Sequence, residues 1–344
     1  MGDAVVKEIS VIIPTRNRAP ILEGVLRSIE RQTLEVARFE VIVVDNGSSD
    51  RTRDVVTTFG SRIKGLRYIY VQEPGLHRAR HRGASEAEAE LLTFADDDIE
   101  AFPGWLRAIR DSFNEPGVAL VGGRILPRFE APPPAWLQNL WDGMPRNRRW
   151  LPYLSILDFG EGCRTMSPYY VWGCNFSIRR DVLVQSGGFH PDAVPKEQRF
   201  YRGDGETWVG EHVRSRRLRA LYCGSACVHH CIPASRMSVS YFSERAFDQG
   251  ISDSYTVLRN RLRRGGCGPH GRWASLAHVC RIGGILAGIW VKRLLTRVEG
   301  ERSSESLRAR LFRASVQGFD AHRRKVREDP ALRAWVARDD YWDK

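Results

Sequence analysis

Leu91-Leu92-Thr93-Phe94-Ala95-Asp96-Asp97-Asp98-Ile99 is the stretch whose reading decides the fold. An apolar run of strand length that drives straight into three carboxylates reads as a buried strand whose carboxyl end opens on a charged site. Adjacent carboxylates repel one another and are costly to desolvate unless cations or hydrogen bonds balance them. A hard divalent metal carrying phosphate oxygens is therefore a natural partner. The plainer alternative is a solvated acidic turn before a helix that Pro103 starts.

Working outward, the same strand-to-loop change recurs upstream. Ile9 to Ile13 is a short β-branched run stopped by Pro14-Thr15-Arg16-Asn17-Arg18, after which Ile21, Leu22, Val25, Leu26 and Ile29 repeat helically. Phe39 to Val44 predicts a second strand, Asp45 to Asp50 supplies turn and cap residues, and Arg51 to Phe59 fits a helix. A third strand is expected at Leu66 to Val71, then a helix at Leu76 to Glu88, the Leu91 strand, a helix from Pro103, and a strand at Val118 to Val121. Strands alternating with helices imply a mostly parallel sheet, and such sheets bind ligands beyond the carboxyl ends of their strands. Pro14 to Arg18, Asp45 to Asp50 and Asp96 to Asp98 all fall on that edge.

Composition sets wide bounds. With 344 residues, 42% hydrophobic and 27% charged, the chain suits a globular enzyme with a substantial core. Its 53 Lys and Arg against 41 Asp and Glu leave a net charge of +12, which admits phosphate-bearing ligands, nucleic acid or an anionic membrane surface. Charges at Asp3, Lys7 and Glu8 precede the first short apolar run, so no secretory leader is read and a cytoplasmic location is expected. The seven cysteines, odd in number and gathered late in the chain, fit reduced thiols better than a disulfide framework.

Ile9 to Arg18, then Glu40-Val41-Ile42-Val43-Val44-Asp45-Asn46-Gly47-Ser48-Ser49-Asp50, then the Asp96 triplet resemble, in order and spacing, the opening of family 2 glycosyltransferases. The resemblance runs from Ile9 to about Gly250. It implies the GT-A fold, an α/β architecture with a Rossmann-like, mostly parallel sheet flanked by helices. It also implies that Pro14, Thr15, Arg16 and Asp45 hold the nucleotide base and ribose, that Asp96 or Asp97 lies nearer the ribose, and that Asp98 binds the metal, Mn²⁺ or Mg²⁺. Asp45 could accept a hydrogen bond from a base N–H or ribose hydroxyl, or form an Asx turn with Gly47. In the basic helix start Leu76 to Arg82, the resemblance singles out Arg80 as a contact for the diphosphate.

Periodicity fails from Pro127 to about Ser167, where Pro132-Pro133-Pro134 and Trp136, Trp141 and Trp150 make an excursion too long for a plain connection. Packing is the first expectation for each tryptophan. Tyr169 to Ile178 is strand-like and resembles the family's acceptor side, which Trp172, Gly173 and Asn175 would line if they do not simply support the sheet. Arg202-Gly203-Asp204-Gly205-Glu206-Thr207-Trp208 leads into a helical pattern where inverting relatives place a general base, commonly as a Glu-Asp pair. Here Glu206 aligns best with the base, Asp204 is the runner-up, and helix capping is the bland role of either.

Cys223, Cys227, His229, His230 and Cys231 do not repeat a zinc-finger spacing, and their alternation suggests a strand. The resemblance makes His230 a second metal ligand opposite the aspartates; a core histidine is the alternative. Ser238 to Arg264 reads as a helix. Trp273 to Leu295 has an apolar centre, Ile282 to Val291, too short to span a bilayer and expected to dock on the catalytic domain, with an interfacial or oligomer-forming helix as the alternative. Arg302 to Lys344 is highly charged, with helical spacing at Leu307, Leu311 and Phe312.

These readings divide the chain into a catalytic domain over 1–265, with a nucleotide half to about 125 and an acceptor half beyond it, and a helical extension over 266–344. They imply a metal-dependent inverting glycosyltransferase that uses a nucleotide diphosphate sugar, a UDP-sugar by resemblance, and a sugar or other hydroxyl acceptor. No nucleic acid is implied, while peripheral membrane contact and oligomeric state stay open. The rivals are a sugar-nucleotide nucleotidyltransferase, which would want a glycine-rich loop where Pro14 to Arg18 stands, and a catalytically degenerate anion- or membrane-binding protein.

Overall fold

The computed structural model describes residues 6–263, 306–338 and 340–342. β-Branched runs become the central strands. β1 (Ile9–Thr15) and β2 (Phe39–Asp45) are buried along their whole length, as strands covered on both faces must be. β3 (Leu66–Tyr70) pairs parallel with β2, and β4 (Leu91–Phe94) pairs parallel with β1 on its other side. Because side chains alternate along a strand, Val11, Ile13, Val41 and Val43 pack on one face with Leu22, Val25 and Leu26 of α1 (Ala19–Glu30) and Val56 and Phe59 of α2 (Thr52–Gly60). Ile12, Ile42 and Val44 pack on the other with Ala79 and Ala84 of α3 (Leu76–Glu86). Each fully buried aliphatic side chain contributes about 1.5–3 kcal/mol to this two-sided core.

Beyond the Asp96 triplet the sheet turns mixed. A short strand, β5 (Ile99–Ala101), intervenes before α4 (Trp105–Ser112), where only a helix from Pro103 is expected from sequence. β6 (Val118–Phe129) runs well past the expected Val121. α5 (Ala135–Asp142) and three strands of three residues each, β7 (Arg149–Leu151), β8 (Ile156–Asp158) and β9 (Cys163–Thr165), fill the excursion after Pro127. Strands so short carry no legible period. Trp141 and Trp150 are buried, and Trp136 sits edge-on to Phe242, so all three tryptophans pack as first expected.

The Tyr169 to Ile178 segment becomes two 3₁₀ turns followed by β10 (Phe176–Arg179), which inserts antiparallel between β4 and β6. α6 (Arg180–Ser186) and α7 (Glu206–Ser215) cover the α3 face, and β11 (Arg219–Ile232) pairs parallel with β6 and antiparallel with β5 and β9. The resulting path is β3-β2-β1-β4-β10-β6-β11-β5, a mixed α/β sheet. Within it Cys223 lies opposite Cys163, their sulfurs 3.0 Å apart.

α8 (Val239–Arg263) packs along α9 (Leu307–Glu328), which leads into α10 (Pro330–Val336). Leu307 and Leu311 are buried, but Phe312 is 71% exposed and so stands outside the core stripe that its spacing suggests. The last described residues pack back on α8 and α3: the Tyr341 hydroxyl receives the Tyr255 hydroxyl's hydrogen bond at 2.9 Å, and Trp342 stacks on His81 of α3. No helix among the described residues is long and apolar enough to cross a membrane. The apolar segment Ile282 to Val291 lies outside the described residues.

Candidate active site

Parallel pairing brings the first three loops together. Thr15 is in register with Asp45, and Ile12 with Phe94, so the Pro14 loop and the Asp96 triplet open on one cleft of about 670 Å³. Thr15 donates its hydroxyl to Asp97 at 2.7 Å. Arg18, which follows the loop residues singled out in sequence, pairs with Asp97 at 2.5 Å and with Asp98 at 2.9 Å. Pro14 and Arg16 line the cleft, Arg16 exposed. Asp45 does not line it. Its carboxylate accepts from the Tyr68 hydroxyl and from the Ser48 amide, one residue beyond the Gly47 of the expected Asx turn, and the adjacent Asn46 reaches the cleft wall instead.

The three aspartates divide their work by environment. Asp96 faces Arg80 at 3.3 Å, and burial raises its pKa. Burial pushes the Asp97 carboxyl up to about 7 against the pull of Arg18. Burial also opposes ionisation of Asp98, but His230, Arg18 and Arg236 hold it well below the usual carboxylate range. His230, on β11, gives its Nδ1–H to the Leu154 carbonyl at 2.7 Å. Its Nε2 lies 3.2 Å from Asp98 Oδ1, a buried oxygen with no hydrogen-bond partner among the described residues. An imidazole nitrogen beside an unpartnered carboxylate oxygen is a donor set that suits a divalent metal, so Asp98 and His230 fit one. Among the described residues no cluster of three or more His, Cys, Asp or Glu forms around it.

Across the cleft, Glu206 opens α7, preceded by Gly205 at φ 52°, a left-handed backbone that spares a side chain its strain. Glu206 lies 3.0 Å from Arg80, whose guanidinium, 2% exposed, also faces Asp96 and Asp192. Burial works against the Arg80 charge, yet the three carboxylates hold its pKa above its ordinary range. Burial raises the Glu206 pKa, with Arg80 opposing. Arg80 is thus committed to carboxylates, although sequence reading assigned it to a diphosphate.

Asp204 is differently placed. Its oxygens meet His190 Nδ1 at 2.6 Å and the Thr256 hydroxyl at 2.8 Å, and its side chain is nearly buried. Trp172 and Gly173 line the cleft, and Gly173 sits against the Arg80–Glu206 pair. Asn175, expected on the acceptor side, is instead buried behind the sheet, taking the Trp105 indole N–H and giving its amide to the Ala226 carbonyl. Asp192, Arg18 and Arg236 are the site residues that the sequence reading missed. Arg18 stands two residues beyond Arg16 in a motif already in view, whereas the loop of Asp192 and the turn of Arg236 offer no pattern.

The model of the family described as glycosyl transferase family 2 matches residues 10–186. Validoxylamine A glucosyltransferase of Streptomyces hygroscopicus subsp. jinggangensis is 31% identical over 203 residues, 54% of this chain and 47% of that protein. Glucosyl-dolichyl phosphate glucuronosyltransferase of Haloferax volcanii is 24% identical over 71% of this chain and 76% of its own length. Among solved structures, S. aureus TarS 1-349 in complex with UDP covers 92% of this chain and 91% of that one, at 15% identity and a TM-score of 0.48. The chain spans about half the length, 47% and 44%, of the first curated relatives that it matches.

Proposed function

The chain belongs to glycosyl transferase family 2, and from that premise we propose that it moves a sugar from a UDP-sugar to an acceptor hydroxyl with inversion at the anomeric carbon. One observation carries this reading: Glu206 faces the Asp96 triplet across a single cleft, anchored through Arg80, which also touches Asp96. That arrangement separates a carboxylate able to take a proton from a group of residues able to hold a diphosphate.

In this reading Glu206 accepts the proton of the acceptor hydroxyl, and the acceptor oxygen forms the new bond to the anomeric carbon. The bond to the diphosphate breaks on the opposite face, and its electron pair leaves with the phosphate oxygen. A raised pKa suits Glu206 to that role, because a more basic carboxylate takes the proton more readily. Asp204, held by His190 and Thr256, is the weaker choice and serves to fix the loop before α7. Asp98 and His230 would hold Mn²⁺ or Mg²⁺, which when bound supplies positive charge to the leaving diphosphate. Arg18 and Arg236 add fixed positive charge at the same edge. Thr15, Arg16 and Asn46, which line the cleft, would meet the nucleoside, with Asp45 acting through the Asn46 turn.

The test is release of UDP from a panel of UDP-sugars with Mn²⁺, first with water as acceptor, with the anomeric configuration of the product read by NMR. Failure to bind UDP and to cleave any UDP-sugar would overturn the reading.

A further inference from the structure

The acceptor end of the cleft holds two arginines whose guanidinium groups are incompletely hydrogen-bonded among the described residues. Arg202, four residues before Glu206, and Arg245, on the inner face of α8, both line the cleft. Arg202 is only 13% exposed, and its one carboxylate contact among the described residues is a long 3.4 Å to Asp248. Asp248 is itself held at 2.7 Å by Arg199. The buried Nε atoms of Arg202 and Arg245 have no hydrogen-bond partner, and Arg245 makes no ion pair among the described residues. Burial lowers the Arg202 pKa, and the nearby Arg245 and Arg199 charges add to that effect against Asp248.

Other carboxylates nearby are already committed. Asp192 faces Arg80, and Asp253, which accepts from Gln249, is pushed up to about 6 by burial. Guanidinium groups so poorly hydrogen-bonded are costly to bury, and an oxyanion entering the cleft would give their terminal N–H groups acceptors. The donor diphosphate has its own cations at the far edge, Arg18 and Arg236 on Asp98.

We propose that Arg202 and Arg245 form an anion subsite for the acceptor, and that the acceptor is a phosphate-bearing alcohol whose phosphate docks there while its hydroxyl meets Glu206. The proposal rests on the transferase reading above. The phosphate could belong to a soluble sugar or polyol phosphate or to a lipid-linked phosphate, and the two sources present the same oxyanion to the two arginines.

The probe is sn-glycerol 3-phosphate, followed by ³¹P line broadening on the full chain saturated with UDP and the diamagnetic Mg²⁺, with excess glycerol added as an uncharged competitor that should leave the broadening unchanged. A parallel arm uses phosphatidylcholine vesicles with and without polyprenyl phosphate, read by co-sedimentation. Binding of the soluble phosphate identifies a soluble acceptor class; binding only to vesicles carrying polyprenyl phosphate identifies a lipid-linked one. In either case Arg202→Gln combined with Arg245→Gln should weaken the response at least tenfold while UDP affinity stays within twofold. Phosphate binding that survives the double substitution, or that saturating UDP abolishes, would overturn the subsite. Failure of UDP itself to bind would instead strike the transferase reading, so the two failures are told apart.

Discussion

Glu206 and Arg80, 126 residues apart in sequence, meet at 3.0 Å at the mouth of α7. The contact ties the start of one helix to the buried face of another, and it sets the position of the group proposed as general base. Arg80 touches Asp96 as well, so the two sides of the cleft share a single cation.

Glu206→Gln is expected to slow transfer by roughly 10²- to 10⁴-fold while leaving UDP affinity unchanged, because the change removes the proton acceptor and keeps the shape. Asp204→Asn should act on stability first. It disturbs a buried pair of hydrogen bonds to His190 and Thr256, at a cost of about 1–3 kcal/mol, read as a fall in Tm. Turnover and UDP titration on both variants check this; a fast Glu206→Gln enzyme would move the base elsewhere.

The pH dependence follows from burial of Glu206. Its raised pKa places the acid limb of kcat/KM above the ordinary glutamate range, with activity falling as pH drops and the carboxylate gains a proton. Since Arg80 opposes that rise, Arg80→Met should shift the limb to still higher pH, and Arg80→Lys should shift it less. pH–rate profiles of the three proteins decide the point, and superimposable limbs would count against Glu206 as the titrating group.

Gly173 has a steric reason to lack a side chain. A Cβ there would fall 2.0 Å from Glu206 Oε1 and 2.1 Å from an Arg80 nitrogen. Both are ends of flexible side chains, so Gly173→Ala should fold but displace the pair, with kcat down at least about tenfold and Tm little changed. Equal activity of Gly173→Ala and wild type would mean that the Arg80–Glu206 geometry is irrelevant to turnover.

Metal binding is expected to need Asp98 and His230. In Asp98→Asn and His230→Ala the gain in UDP affinity on adding Mn²⁺ should shrink at least about tenfold, with metal-free UDP affinity less affected. Calorimetric titrations with and without Mn²⁺ test it; an unchanged gain in His230→Ala removes that histidine from the site.

His81 links the C-terminal segment to stability. Its ring gives Nδ1–H to the Tyr341 carbonyl and accepts from the Phe189 amide, and burial lowers its pKa from 6.5 to about 3. Below about 6.5 the unfolded chain takes up a proton that the folded chain refuses, so stability falls as pH drops toward 3. Between pH 7.5 and 5.5 this group alone should cost about 1.4 kcal/mol. Denaturant unfolding of wild type and His81→Gln at both values should show a smaller pH slope in the variant.

The sequence by itself determined the nucleotide-side frame. β1, β2 and the Asp96 triplet were legible because apolar strands ending in polar loops keep their pattern locally, and parallel pairing then forces those loops onto one edge. Tertiary structure alone decided who partners whom. Nothing near Arg80 announces Glu206 or Asp192, and nothing near Asp98 announces Arg236, since these contacts close across more than a hundred residues. It also decided that Asp204 is held by His190 and Thr256 while Glu206 pairs with Arg80, and it turned Asn175, at the end of a 3₁₀ turn that carries no legible period, into the core. Local pattern encodes secondary structure and strand ends, whereas the charge balance of a buried site depends on groups that only the folded chain brings within a few ångströms.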